Sequence, residues 1–277
     1  MAKRLLHVRR LVCFLAVAVL ATTTCCQGWG AGDVSALSLV DRLRQIVTAG
    51  GGIPVGDGDY CDSWRVGVEA NNVRGWTTPP RKCDNYVENY MRGHHYRRDS
   101  MVVVDEAIAY AEGLQLSDDA AACWVFDVDE TALSHVKFYK KHGFGYHKSD
   151  EPAFLEWLIA GKASALPNTV RLYKKMLLLG IKIVFLSDRP DTPELRNATA
   201  TNLIEEGFDC WEELILRSPN STTGSVVEYK SGERKRLQEE NGLVIVGNIG
   251  DQWSDLLGSP EGQRTFKLPN PAYYIDN

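Results

Sequence analysis

Two aspartates stand two positions apart at the end of an apolar run: Ala121-Ala122-Cys123-Trp124-Val125-Phe126 leads into Asp127-Val128-Asp129-Glu130-Thr131. In a strand, alternation points Asp127 and Asp129 to the same side. Two like charges that close repel unless a cation or a shared proton lies between them. A strand running out into a polar turn would leave the same pair, so the weight falls on the other apolar runs. Ile181 to Leu186 ends in Ser187-Asp188-Arg189, and Leu243 to Ile249 ends in Gly250-Asp251, with Asp255 four residues on. Lys230 lies on the approach to that last run. In an open parallel sheet, ligands bind beyond the carboxyl ends of the strands. Carboxylates, a hydroxyl and an ammonium then converge on one rim.

The elements that must position them follow from periodicity. From residue 119 strands alternate with helices, the signature of a parallel sheet. The strands read as Ala121 to Asp127, Ile181 to Leu186, Leu214 to Leu216, Leu243 to Ile249 and Thr265 to Leu268. The second is apolar almost throughout, which implies burial on both faces. Asn168 is expected to cap a helix closed by Gly180, and Pro193 to open one that ends near Gly207. Before residue 119 the chain reads as helical, over Ala36 to Val47 and Val102 to Leu114. Turns are expected over Gly50 to Gly58 and Trp76 to Pro80. His94 and His95 are adjacent, so no regular element aims both at one metal, and with Arg97 and Arg98 they read as a solvated face.

Lys3, Arg4, Arg9 and Arg10 precede an apolar stretch from Leu11 to about Ala21, followed by small and polar residues. This reads as a secretory signal peptide, too short to span a membrane, over residues 1–32. The chain has 31 basic and 36 acidic residues; removing 1–32 takes four basic and no acidic ones and leaves a formal charge of −9. That balance points to neither nucleic acid nor, once the signal is removed, a membrane as partner. Seven cysteines then reduce to Cys61, Cys83, Cys123 and Cys210. An even count in an oxidising compartment favours disulfides, with Cys61–Cys83 the best pair and Cys123 a buried thiol. Asn197-Ala198-Thr199 and Asn220-Ser221-Thr222 are N-glycosylation acceptor triplets.

The ordered set closely resembles the haloacid dehalogenase-like superfamily, in its plant acid phosphatase and vegetative storage protein branch, a class B-type acid phosphatase family. The matching residues are Asp127-Val128-Asp129-Glu130-Thr131, Ser187, Lys230-Ser231, Gly250-Asp251-Gln252-Trp253-Ser254-Asp255-Leu256, the tail Phe266-Lys267-Leu268-Pro269-Asn270-Pro271 with Tyr273-Tyr274, and the segment around Trp64, Glu69, Asn71 and Asn72. The resemblance implies an α/β fold: a Rossmann-like parallel sheet over 119–277 with a small cap, preceded by a helical N-terminal extension over 33–118. It implies a magnesium-dependent phosphomonoesterase acting on small phosphomonoesters, secreted or vacuolar, with a homodimer as an allowed assembly. Asp127 would be the nucleophile that forms an aspartyl phosphate, and Asp129 the general acid and then base. Asp127, the backbone carbonyl of Asp129, and Asp251 would hold Mg2+, with Asp255 a further ligand or an orienting group. Ser187 and Lys230 would grip phosphoryl oxygens, Lys230 fitting better than Lys235. Arg189 is open between binding phosphate and pairing with Asp188 or Asp191. Phe138, Tyr139, His142, Phe144 and Tyr146 either line the mouth of the site or pack in the core, and His142 and His147 read as surface residues. The alternative is a storage glycoprotein; storage members can lack the nucleophilic aspartate, which this chain has at position 127.

Overall fold

In a computed structural model the described residues are 57–116, 121–145, 150–222 and 224–275. The signal peptide, the helix over 36–47 and the residues Tyr146 and His147 lie outside them. In chain order the elements are α1 (Asp57–Glu69), a 3-10 turn (Arg81–Cys83), α2 (Asp84–Arg92), α3 (His94–Glu112), β1 (Ala122–Phe126), β2 (Leu133–Ser134), α4 (Val136–His142), α5 (Glu151–Ile159), β3 (Ser164–Ala165), α6 (Pro167–Leu178), β4 (Lys182–Pro190), α7 (Pro193–Glu205), β5 (Glu213–Arg217), α8 (Val226–Glu239), β6 (Val244–Gly250), α9 (Trp253–Leu256) and β7 (Thr265–Lys267).

Five strands form one parallel sheet in the order β5-β4-β1-β6-β7. Each residue of β1 is buried, because alternate side chains enter different cores. Trp124 and Phe126 join Leu172, Met176 and Val104 on one face; Cys123 and Val125 join Leu186, Ile245 and Leu237 on the other. Burial on both faces is what a parallel sheet covered by helices requires. Trp124 lies opposite Gly247 of β6, where an added Cβ would come within 2.4 Å of the indole. Only glycine fits beneath that ring.

The chain runs from β1 outward through β4 to β5, then crosses to β6 on the far side of β1. The order reverses between β1 and β6, and that switch point is where a crevice opens at the carboxyl ends. Between β1 and α6 the antiparallel pair β2–β3 and helices α4 and α5 make the small cap. Its aromatic residues Phe138, Tyr139, Phe154 and Trp157 share a cluster with Trp64, Tyr90 and Tyr273. Cys61 of α1 and Cys83 of the 3-10 turn form a disulfide with Cα atoms 5.5 Å apart.

Several boundaries differ from expectation. Asn168 does not cap α6: Pro167 opens the helix after Leu166, and the Asn168 amide instead donates to the Arg97 carbonyl at 2.9 Å. The third helix begins at His94 rather than Val102, and α1 takes in Gly58. Strand β4 runs on to Pro190, four residues past the end of its apolar run. His94 and His95 are exposed, and His95 lies 3.5 Å from Asp99.

Candidate active site

Asp127 follows β1 directly, its amide donating to the Ile249 carbonyl of β6 at 3.0 Å, so the switch point fixes its backbone. Its Oδ1 accepts from Lys230 Nζ at 2.6 Å, and the same ammonium reaches Asp255 Oδ1 at 2.5 Å. Lys230 sits on α8, which Ser225 and Glu228 start with a reciprocal capping box. All three side chains are buried. Lys235, the rival lysine, is exposed and lies 3.8 Å from Glu239. Burial opposes the Lys230 charge, but Asp127 and Asp255 overturn that and hold its pKa well above the ordinary lysine value.

Asp251 follows β6 and is held at both oxygens. Oδ1 accepts from the Thr131 hydroxyl at 3.2 Å; Oδ2 accepts from Gln252 Nε2 at 2.8 Å and Asn270 Nδ2 at 2.6 Å. Asp255 Oδ2 accepts from the Gln252 amide at 2.8 Å, capping α9 while its other oxygen faces Lys230. Asp255 can approach so closely because residue 250 is glycine, where a Cβ would meet its carboxylate at 2.3 Å. Buried Arg234 binds the loop from beneath, donating to the carbonyls of Asp255, Leu257, Gly258 and Pro260.

Asp127, Asp251 and Asp255 can each offer an oxygen within 4.8 Å of the others. Burial, then the neighbouring Asp255, pushes Asp127 well above the usual carboxylate range. The same two causes push Asp251 upward, against the amides of Asn270 and Gln252. Three buried carboxylates with one ammonium among them lack positive charge. An all-oxygen donor set of that kind suits a hard divalent cation.

Asp129 lies beyond the end of β1 and has its own set of partners. Its carboxylate accepts from Arg189 Nε at 3.1 Å and Nη2 at 2.8 Å, from His135 Nε2 at 2.5 Å and from the Ser187 hydroxyl at 3.3 Å. Burial opposes its ionisation, yet Arg189 and His135 win and hold it well below the usual carboxylate range. Arg189 thus pairs with neither Asp188, which binds Arg217 at 2.8 Å, nor Asp191, which binds Arg196 at 2.7 Å. Its Nη1 donates to buried Thr199 at 2.8 Å, so the hydroxyl of the first glycosylation triplet serves this guanidinium. Asn197 itself is exposed on α7, and Asn220 is exposed between β5 and α8.

Of the residues read from the sequence, Asp127, Lys230, Asp251 and Asp255 meet in one cluster, and Ser187 meets Asp129 beside it. Phe138 and Tyr139 are buried in the aromatic cluster, whereas exposed His142 stacks on Phe138 at 4.1 Å. Sequence reasoning missed His135 and Arg234, and gave Glu130 and Asn270 no role beyond their place in the matching stretches. Arg189 carried one usable signal: it stands two residues after Ser187, the same alternation that pairs Asp127 with Asp129.

Helices on a parallel sheet, with paired aspartates and a buried lysine at its switch point, define a haloacid dehalogenase-like α/β protein. The chain belongs to the acid phosphatase family of the HAD superfamily, subfamily IIIB, which it matches over residues 53–276, and is thereby a phosphomonoester hydrolase. It is 44% identical over 215 residues to acid phosphatase 1 of Solanum lycopersicum, covering 78% of this chain and 83% of that one. It is 45% identical over 217 residues to the stem 28 kDa glycoprotein of Glycine max (78% and 84% covered) and 43% identical over 217 residues to vegetative storage protein 2 of Arabidopsis thaliana (78% and 80%). The fold is similar to that of the class C acid phosphatase from Bacillus anthracis solved with tungstate bound, with TM-score 0.51, 21% identity and coverage of 69% and 85%. Among the described residues no helix is long and apolar enough to cross a membrane.

Proposed function

We propose that the chain is a magnesium-dependent acid phosphatase that hydrolyses small phosphomonoesters through a phosphoaspartate on Asp127, in the secretory pathway, outside the cell or in the vacuole. The observation that carries this reading is the pairing of Asp127 with buried Lys230 at 2.6 Å beside Asp251 and Asp255. Asp127 and Asp251 would hold Mg2+ together with the Asp129 carbonyl, with Asp255 as a further ligand or an orienting group. When bound, the ion supplies positive charge that lets an anionic carboxylate approach an anionic phosphate.

An Asp127 oxygen attacks phosphorus in line, the bond to the ester oxygen breaks, and that oxygen takes a proton from Asp129. Water then attacks the phosphoaspartate, Asp129 takes the proton back, and phosphate leaves. Lys230 and Ser187 hold the phosphoryl oxygens as charge develops. At rest Arg189 keeps Asp129 ionised, which suits its role as base. A phosphate dianion competes for that guanidinium, and once Arg189 is drawn away, Asp129 binds the proton its acid role needs.

The similarity to stem glycoproteins and vegetative storage proteins favours a second reading, a stored glycoprotein with little turnover. The nucleophile, the paired lysine and the acidic triad argue for the enzyme. Exhaustive chelation should abolish hydrolysis of an aryl phosphate, and magnesium should restore it better than calcium, whose looser coordination misplaces the in-line geometry. Full activity in verified metal-free protein overturns the magnesium requirement. No turnover with magnesium across a panel of phosphomonoesters selects the storage reading.

A further inference from the structure

We infer that His135 is a positioning residue for Asp129, fixed in a single tautomer by Trp157 of the cap, so that helix α5 helps to aim the acid–base carboxylate. The inference rests on the reading of Asp129 as the acid–base group.

An indole N–H can only donate. Trp157 Nε1 lies 2.9 Å from His135 Nδ1, so that nitrogen accepts and carries no proton. A neutral ring then bears its proton on Nε2, which lies 2.5 Å from Asp129 Oδ1 and donates to it. The ring is fully buried. His135 is therefore not a proton source: its Nε2–H orients a partner and supplies no full charge.

The ring is itself held in place. The His135 amide donates to Glu130 Oε1 at 2.5 Å, and the Phe154 ring of α5 meets the imidazole edge-on at 5.2 Å. Glu130 reaches this position from a left-handed backbone with φ of 53°. The turn after the aspartate pair thus folds back to place the imidazole against the carboxylate. Arg189 and Ser187 also bind Asp129, and on the reading above phosphate draws on both. His135, like Ser187, has no exposed surface, but both of its ring nitrogens are already engaged, one by Trp157 and one by Asp129.

The test combines a spectrum with kinetics. In metal-free protein labelled with 15N-histidine, the His135 ring, assigned by its loss in His135→Gln, should show the Nε2–H tautomer. Trp157→Phe keeps an aromatic ring but removes the N–H, and should give a mixture of tautomers. In the loaded enzyme, His135→Phe should lower kcat for an alkyl phosphate by about a hundredfold, the loss that a small misplacement of a catalytic group causes. The loss for an activated aryl phosphate should be smaller, with KM little changed in both. His135→Gln retains a donor and should recover most of the alkyl rate, and Trp157→Phe should lose part of it. An Nδ1–H tautomer in the parent protein, or a Trp157→Phe spectrum identical to the parent's, overturns the assignment. Equal losses for both leaving groups in His135→Phe, while Asp129→Asn discriminates between them, overturn the positioning role. If Asp129→Asn itself fails to discriminate, the acid–base reading falls and the kinetic half of this inference with it, whereas the spectrum still decides the tautomer.

Discussion

Lys230→Met is the substitution that most directly probes the buried charge cluster. Methionine keeps the length and most of the volume of lysine but removes the ammonium that Asp127 and Asp255 share. Breaking a buried pair by deleting one partner typically costs about 3–5 kcal/mol, because the remaining charge stays desolvated. Lys235→Met is the control; the exposed pair it breaks is worth about 0.2–1 kcal/mol. The cost should depend on pH with a definite sign. Asp127 already has a folded pKa above its unfolded value, so ionising it as pH rises costs stability, and Lys230 opposes that cost. Without Lys230 the penalty at neutral pH grows, whereas at pH 4 a protonated Asp127 needs no cation and the gap between the two proteins narrows. Urea unfolding followed by circular dichroism, in metal-free buffer at pH 4 and pH 7, measures the difference. Phosphatase activity with magnesium gives the second readout, and Lys230→Met should be crippled where Lys235→Met is mildly affected. A stability difference that is the same at both pH values, or Lys235→Met losing as much activity as Lys230→Met, would refute the placement of the ammonium.

Asp127→Asn should abolish turnover and acid-stable labelling by phosphorylated substrate, and labelling that persists there removes Asp127 from the nucleophile role. Asp129→Asn should lose roughly a hundred- to ten-thousand-fold in kcat, more for alkyl than for aryl phosphates, and should accumulate the phosphoaspartate. Breaking the Cys61–Cys83 bond with a paired Cys→Ala change should lower unfolding stability by about 3 kcal/mol for a loop of this length, read from denaturant midpoints. Burial pushes the Cys123 thiol up to about 12, whereas Cys210 is exposed. Iodoacetamide on native protein should therefore label Cys210 first, and equal labelling by peptide mapping would contradict the burial of Cys123.

The strand-end chemistry was legible because it is local. An apolar run that stops at Asp127, Ser187 or Gly250-Asp251 announces both the strand and the group it presents. The supporting residues were not, because their partners are remote in sequence. Asn270 binds Asp251 from 19 residues away, and the Asn270 amide is held by Glu69 at a separation of 201 residues. Arg234 reads as an ordinary helical arginine until the loop from Asp255 to Pro260 folds onto it. Trp157 lies in a stretch where the sequence suggested no regular element, and only the fold of the cap brings its N–H to His135. Asn168 was misread for a related reason: Pro167 at the first helical position fixes the helix start two residues earlier, which frees the asparagine amide for a tertiary contact.

The four carboxylates of the site share a burial problem that the fold solves differently for each. Asp129 receives a guanidinium and an imidazole N–H; Asp255 receives Lys230 and a backbone amide; Asp127 has half of the same ammonium; among the described residues Asp251 hydrogen-bonds neutral amides and a hydroxyl, with the Lys267 ammonium acting on it without a direct bond. The two with the least positive charge, Asp127 and Asp251, flank the switch point. They are also the two whose proton affinity is pushed upward, and each neighbours a carboxylate that a cation would join to it. A protein selecting only for stability would place apolar residues or further ammonium groups there. Keeping two under-compensated carboxylates side by side, each clamped in place, makes sense if a divalent cation completes the set and an anionic substrate then meets a nucleophile whose own charge has been offset.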